Sequence, residues 1–597
     1  MTHYKSNLPD IEFNLFEVNR IQDYLGQGEW SDLDQETAGD ILREIERIAR
    51  EEFAASYVDQ DRIPLQIEAD GEVHLPESVI AGVRAFRAGG WPRLGLPAGL
   101  GGMPAPPSLI WATQEMLLGA NTTTAWYAGG GLFARVLFEE GTEEQKDLAR
   151  LWVESDWAGT MVLTEPDAGS DVGASSAKAI DMGDGTWHIE GVKRFITGGE
   201  HDAAENIIHL VLARPEGAVP GTKGLSLFMV PKYLINDDGT LGARNGVYAT
   251  NLEKKMGLKG STTCEMTFGM NQPAVGYLVG GKHDGIRQMF RVIETARMMI
   301  GAKSTGTLST GYLNALAYAR ERLQGADLAK ASDKSSPRVP IIRHPNVRRS
   351  LMTQKAYAEG LRALVLYTAW VQDQAVLHPE DDRWPRRSDL LLPMVKGYAS
   401  ERSYEQLAQS LQVLGGVGFT QDFPLEQYLR DTKIDSIYEG TTGIQALDLF
   451  FRKIARDQGA TLASLAAEIS EFVKAGGEGD RLAEERVKLG KMLDDVQAHV
   501  GSMVENLLSS ADDHPEDIYK VGLQTNALLD SLAEVVIGWR MLTHAEIALD
   551  RVDEPFYLGK VEAARWFVDM HAVRVEGRRA LALSEDGSVM DLPVDSF

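Results

Sequence analysis

The sequence predicts an α+β fold in which one β unit interrupts an otherwise helical chain. Three observations point to it. Apolar residues recur at helical spacing on both sides of a central stretch. That stretch, about Gly159 to Met270, instead alternates short apolar runs with turns marked by Gly and Pro. No GxGxxG, GxxxxGK[ST] or HExxH motif is present, which removes support for a Rossmann site, a P-loop or a zinc-protease helix. With 597 residues, 44 % hydrophobic and 25 % charged, the chain has the balance of a globular protein with material for more than one core.

Along the chain, Asp34 to Phe53 sets Ile41, Ile45 and Ile48 at three- and four-residue steps among charges, a helix. A Gly/Pro-rich stretch, Gly89 to Pro107, interrupts before a helix resumes over Leu109 to Leu118. Gly129, Gly130 and Gly131 mark either tight helix packing or a place where another group approaches bare backbone. Strands are predicted at Trp187 to Glu190, after the Asp184-Gly185 hairpin signal, and at Ile207 to Ala213, Leu225 to Val230 and Cys264 to Phe268. Their spacing fits a compact barrel or sandwich.

Helices return over Ile286 to Leu323, Pro345 to Gln374 and Leu390 to Leu414, with a polar loop at Ala331 to Pro340. Beyond Asp457 the chain is again helical, with soft linkers near Lys474 to Asp480 and Ser510 to Glu516. The expected domains are therefore 1–157, helical with an N-terminal extension; 158–275, β; 283–457, helical; and 458–597, an appended helical domain.

Sixty Lys and Arg against 87 Asp and Glu leave a net charge of −27. A nucleic-acid binder needs cations to displace phosphate counterions, so that class is disfavoured. A single cysteine, Cys264, excludes an internal disulfide or a Cys-based zinc site and fits a reducing compartment; its place in a predicted strand makes it a core residue. Met1 to Asn19 has no apolar signal core, and the most apolar helix, Ala527 to Leu549, carries Asp530, Glu534, Arg540 and Glu546. The expectation is a cytoplasmic protein without a transmembrane segment. His201 and His209 lack metal-ligand spacing and read as surface or loop residues, and no metal is expected.

Three segments carry candidate chemistry. In Met161 to Asp171, MVLTEPDAGSD, an apolar strand runs into a small-residue turn whose backbone N–H groups and hydroxyl suit an anion; a plain strand-to-loop turn is the other reading. In Lys193 to Gly199, KRFITGG, Phe195 is placed either to stack on a flat ring or to fill a core, and Thr197 to donate a hydrogen bond. Leu411 to Gln445 is the most specific. It contains LQVLGGVGF, the pair Arg430-Asp431 and then KIDSIYEGTTGIQ. A glutamate here, Glu439, is either a neutral-range base desolvated in an apolar cleft or a cap of the following helix. Glu294 and Arg297 lie three apart on one helix, as an ion pair or a substrate-side pair.

In this order and spacing the segments resemble the acyl-CoA dehydrogenase family, whose pattern is L-T-E-P-x-A-G-S-D, K-x-W-I-T-x-G, Q-x-x-G-G-x-G-[FY] and R-D-x-[KR]-I-x-x-I-Y-E-G-T. The likeness covers about residues 100 to 455. The length, the terminal additions and LMTQKAYAEGLRA at Leu351 to Ala363 are most similar to the long actinobacterial fatty acyl-CoA dehydrogenases, with methylmercaptopropionyl-CoA dehydrogenase a near relative.

The resemblance implies FAD as cofactor and α,β-dehydrogenation of a fatty acyl-CoA in β-oxidation, with Glu439 as catalytic base. It implies FAD contacts from Met161, Leu163, Thr164, Gly169, Ser170, Phe195, Ile196, Thr197, Thr441 and Gly443. Arg322, Gln412, Gly415 and Gly416 match positions that reach the flavin of a neighbouring subunit. Substrate contacts fall on Ser170, Glu294, Arg297, Tyr438 and Gly440. Phe195 stands where the family has Trp, and Gly443 where it often has Gln. Electron-transfer flavoprotein is the implied acceptor. The added C-terminal domain implies a homodimer, because in long relatives it covers the face used for tetramer formation. Competing implications are an acyl-CoA oxidase of the same fold, a DNA-binding flavoprotein and a catalytically dead helical scaffold.

Overall fold

The structure is a computed structural model that describes residues 3–477, 479–511 and 514–597. The expectations at Met1, Thr2, Glu478, Asp512 and Asp513, in the N-terminal stretch and the two linkers, lie outside the described residues. The chain divides into two compact units: one of residues up to Ser6 with Tyr24–Ala296, the other of Asn7–Asp23 with Arg297–Phe597.

Among the described residues the first unit is built on ten strands: β1 Ala158–Val162, β2 Lys178–Asp181, β3 Trp187–Thr197, β4 Ile207–Pro215, β5 Ser226–Pro231, β6 Tyr233–Ile235, β7 Leu241–Arg244, β8 Val247–Leu252, β9 Thr263–Phe268 and β10 Ala274–Leu278. Among the described residues, eight of them form one sheet in the order β1-β4-β5-β10-β3-β9-β8, and β2 joins β3 to β4. That link closes β4, β5, β10, β3 and β2 into a ring, the barrel-like closure that the short, evenly spaced strands predict. β1 and β2 run parallel to β4, and the other pairings in the sheet are antiparallel.

Alternation along the strands decides which side each residue serves. On β4, Ile208, Leu210 and Leu212 join a core with Trp152 and Leu137, while Val211 and Ala213 enter a second core with Trp187, Ile196 and Cys264. β5 divides likewise, Leu227 and Met229 against Phe228 and Val230. Both faces are buried, so these strands read as continuous apolar runs. Gly130 supports the packing reading of its cluster: a Cβ there would lie 2.2 Å from the Trp157 carbonyl oxygen.

His201 and His209 correct an expectation. Both are buried, His209 on β4 with Nδ1 2.8 Å from Thr160 Oγ1, and burial pushes each down to about 3. Among the described residues no group of three or more His, Cys, Asp or Glu is placed to hold a metal ion.

The second unit is helical. Pro345–Leu377, Ala483–Ala511, Asp517–Ala548 and Pro555–Leu583 pack through Leu364, Leu489, Val496, Leu532, Val535 and Phe567. Residues 7–23 are stitched to them. Arg362 Nη1 lies 2.5 Å from the buried Asp10 carboxylate, Lys560 also bonds Asp10, and Tyr557 donates to Glu17 at 2.7 Å. Among the described residues no helix is long and apolar enough to cross a membrane.

Among the described residues three helical runs in this unit loosen into π turns, the first where Leu8–Glu12 passes into Phe13–Val18. Pro393 contributes no N–H to its helix, which passes into a π turn at Met394–Tyr398. The helix Thr442–Leu447 passes into another at Asp448–Ala455. Such turns rotate side chains off the regular helical stripe and recur at functional sites.

Candidate active site

In the first unit the fold brings together two motifs that the sequence separates. β1 ends at Val162, and Leu163 to Ala168 turns back so that Glu165 N donates to Ala168 O at 3.0 Å and Ala168 N to Glu165 O at 3.2 Å. Lys193 of β3, fully buried, donates to Leu163 O (3.0 Å), Leu212 O (2.7 Å) and Glu165 Oε1 (2.8 Å). Glu165 also accepts from Ser176 N, Ser176 Oγ and Ala177 N. Burial works against its charge, but Lys193 and these donors outweigh it and hold the carboxyl below its ordinary range. Arg194 N donates to Thr164 O at 2.9 Å, so the two motifs share one backbone framework.

Phe195 does not fill a core, the second of its two readings. A bulge between Lys193 and Ile196 puts it at φ 60°, and its ring is 56 % exposed, so it is not a core aromatic. The Arg194 guanidinium lies 4.9 Å from the ring centroid. The same bulge turns Ile196 inward, 2 % exposed in the core with Cys264, so it offers a ring-binding site only backbone. Thr164 and Thr197 are half-buried, and Gly169 and Ser170 are exposed.

In the second unit Glu439 lies between the short helix Lys433–Ser436 and the helix Thr442–Leu447. It is not the cap of the latter: the Thr441 hydroxyl takes that place, accepting from Ile444 N. Glu439 and Gly440 are both left-handed, φ 57° and 86°, a conformation rare for a side-chain-bearing residue and held only by its surroundings. Gln445 Nε2 donates to Glu439 O at 3.0 Å and Gly440 O at 3.3 Å, and Lys396 Nζ donates to Gly440 O at 2.5 Å. Burial pushes the Glu439 carboxyl up to about 7, although Lys396 and Arg297 both pull it down. Burial likewise brings Lys396 down to about 8.

The preceding turn is anchored below. Asp435, fully buried, accepts from Lys303 Nζ (2.5 Å), Ser304 Oγ (3.2 Å) and the Tyr438 hydroxyl (2.9 Å). Tyr438 thus commits its hydroxyl to the protein. Arg297 pairs with Asp448 at 2.8 Å. Elsewhere in this unit Arg322, Gln412, Gly415 and Gly416 are exposed, and a Cβ at either glycine would meet nothing within 4 Å.

A carboxyl poised near neutrality, on a strained turn with buried cations around it, is suited to moving a proton. Residues 160–270 match the acyl-CoA dehydrogenase middle domain, 283–452 the acyl-CoA dehydrogenase C-terminal domain, and 465–593 the acetyl-CoA dehydrogenase C-terminal-like family. The broad-specificity linear acyl-CoA dehydrogenase FadE5 of Mycobacterium tuberculosis is 52 % identical, covering 100 % of both chains. The chain belongs to the acyl-CoA dehydrogenase family. The 3-methylmercaptopropionyl-CoA dehydrogenase of Ruegeria pomeroyi is 34 % identical over 90 % of each chain. The fold matches an acyl-CoA dehydrogenase from Bacillus anthracis solved with FAD, with a TM-score of 0.74, 19 % identity, and 95 % and 91 % of the two chains covered. This acyl-CoA dehydrogenase is accordingly an oxidoreductase of fatty-acid metabolism whose cofactor is FAD.

Sequence reasoning missed Lys396, Gln445 and Asp448 in this acyl-CoA dehydrogenase. Lys396 had a signal: a lysine inside the apolar run LLLPMVKGY is seldom buried without a partner.

Proposed function

We propose that this dehydrogenase oxidises linear fatty acyl-CoA thioesters to trans-2-enoyl-CoA in β-oxidation, with Glu439 as catalytic base and electron-transfer flavoprotein as the next electron acceptor. The observation that carries the assignment of the base is the Glu439 carboxyl, brought to about 7 by burial on a left-handed turn. The substrate class draws on the full-length relative named for linear acyl-CoAs, at 52 % identity against 34 % for the methylmercaptopropionyl enzyme.

The residues present fit a flavin. Phe195 offers an exposed aromatic face, Thr164 and Thr197 hydroxyls, and Gly169 and Ser170 an open turn beside Met161 and Leu163. Thr441 and Gly443 begin a helix whose first N–H groups suit acceptor atoms. Arg322, Gln412, Gly415 and Gly416 present a guanidinium, an amide and bare backbone to solvent, the donor set for a second copy's pyrophosphate and adenosine. Bound FAD supplies the two-electron acceptor for the hydrogen leaving the β-carbon.

This chain's own contribution is proton chemistry and positioning. The Glu439 carboxylate takes the α-proton. That C–H is a weak acid, and hydrogen bonds to the thioester oxygen lower the barrier by about 3–4 kcal/mol per donor in comparable sites. Glu439's own N–H is one such donor: among the described residues no backbone carbonyl accepts it. Gly440 keeps the approach clear of a side chain, while Ser170, Glu294, Arg297 and Tyr438 are the remaining substrate-side residues. The expected assembly is a cytoplasmic homodimer, with residues 458–597 as the appended domain following 1–157, 158–275 and 283–457.

The test is Glu439→Gln. It should retain FAD and bind acyl-CoA yet lose most turnover; near-normal dye reduction would reject the base. Rates across acyl-CoAs of increasing length define the substrate range, peroxide release in air would reassign the enzyme as an oxidase, and light scattering tests the dimer.

A further inference from the structure

We propose that Lys396 is a positioning residue for the dehydrogenation: its ammonium holds the Gly440 carbonyl, fixes the left-handed Glu439–Gly440 turn that aims the base, and places a positive charge beside the carboxylate. The inference rests on Glu439 being the base.

Three observations carry it. First, Lys396 is fully buried, in an otherwise apolar stretch, on the π turn Met394–Tyr398. A lysine costs too much to bury without a specific partner. Among the described residues its hydrogen-bond partner is one backbone oxygen, Gly440 O, at 2.5 Å. Second, that oxygen belongs to the residue next to the base, in a turn with φ 57° at Glu439 and 86° at Gly440. Two consecutive left-handed residues persist only when outside contacts hold them. Here the contacts are Lys396 and Gln445, both buried, which converge on the Glu439 and Gly440 carbonyls. Third, the charges are arranged in layers. Lys396 and Arg297 face Glu439, while Asp435, Glu439 and Glu401 face Lys396. Asp435 is already paired with Lys303, Arg297 with Asp448, and Glu401 accepts from Thr442 at 2.7 Å. Glu439 forms no ion pair of its own among the described residues, so Lys396 acts on it through charge and through the backbone together.

The two effects separate by substitution. Lys396→Arg keeps the charge and a donor, Lys396→Gln keeps a donor without charge, and Lys396→Met keeps neither. The experiment uses holoenzyme and records kcat and kcat/KM for one acyl-CoA against pH, with Glu439→Gln as the reference for loss of the base. Removing a cation beside a carboxylate raises its pKa by about 1 unit or more. The acid limb of kcat/KM should therefore move upward by about that amount in Lys396→Gln and Lys396→Met, and stay near the parent position in Lys396→Arg. Lys396→Met should in addition lose roughly ten-fold or more in kcat on the alkaline plateau, where Glu439 is ionised in every variant, because the turn loses one of its two anchors. KM should change less than kcat.

An acid limb that stays in place in both Lys396→Gln and Lys396→Met overturns the proposal and leaves Glu439 as base. If Lys396→Met fails to keep FAD, the Gln and Arg profiles decide alone, since each retains a donor to Gly440. Full turnover by Glu439→Gln would instead reject the base itself, a result distinct from any of the Lys396 outcomes.

Discussion

Arg297 and Asp448 form a buried ion pair, Nη1 to Oδ2 at 2.8 Å, linking the helix Gly285–Glu321 to the π turn Asp448–Ala455. The i,i+3 spacing of Glu294 and Arg297 had offered a different carboxylate. Tertiary packing supplies Asp448 because the π turn rotates it into reach of a guanidinium that also faces Glu439.

Asp448→Asn should therefore act on both stability and catalysis. Breaking a buried pair from one side costs about 3 kcal/mol or more, since the other charge stays buried. The freed Arg297 also shifts toward Glu439, lowering its pKa and weakening it as the proposed base. Denaturant melts and kcat/KM check this; a variant unchanged in both would remove Asp448 from the account.

Glu439 should make the enzyme less stable as pH rises. Its carboxyl is raised from 4.5 to about 7 in the folded protein. Below about 4.5 it is protonated folded and unfolded, and burial carries no charge penalty. As pH climbs through that window the unfolded chain loses its proton first, so stability falls, and the full penalty is present above about 7. Glu439→Gln removes that dependence. At pH about 8 the variant should exceed the parent by on the order of 2 kcal/mol, and by little at pH about 5. Paired denaturant titrations at the two pH values measure the difference, and an equal gap at both would contradict the burial reading.

Glu165→Gln should loosen the loop between β1 and the Phe195 bulge. It leaves Lys193 buried with two carbonyls and no carboxylate. The expected cost is about 3 kcal/mol, with faster FAD loss on dilution. A variant that melts and retains FAD like the parent would show that the ion pair is dispensable.

Asp10→Asn should detach the N-terminal segment. Asp10 is fully buried between Arg362 and Lys560, and these cations hold its carboxyl well below the usual range against the opposing effect of burial. Loss of the charge leaves two buried cations short of a partner, at a cost of about 3–5 kcal/mol. Limited proteolysis near residue 23 should accelerate; an unchanged cleavage rate would mean that the aromatic contacts around Phe13 suffice.

Much of the fold was legible because periodicity is local. Ile207 to Ala213, Leu225 to Val230 and Cys264 to Phe268 appear as β4, β5 and β9 within two residues. The missed strands were short or mixed in character: Lys178–Asp181 has four residues, and Val247–Leu252 is only partly buried. Their pairing depends on partners distant in sequence, which a local pattern does not report.

The chain alone determined the family, the glutamate within YEGT and the order of helices and strands, since motif spacing and apolar periodicity are properties of neighbouring residues. Only the tertiary structure decided that Ile196 faces the core while Phe195 faces out, that His201 and His209 are buried, that Lys396 and Gln445 hold the Glu439–Gly440 turn, and that Asp448 pairs with Arg297. A bulge, two π turns and a left-handed pair of residues re-aim those side chains. Each is a local distortion that the packing of remote segments stabilises, so its cause lies outside the stretch of sequence where it occurs.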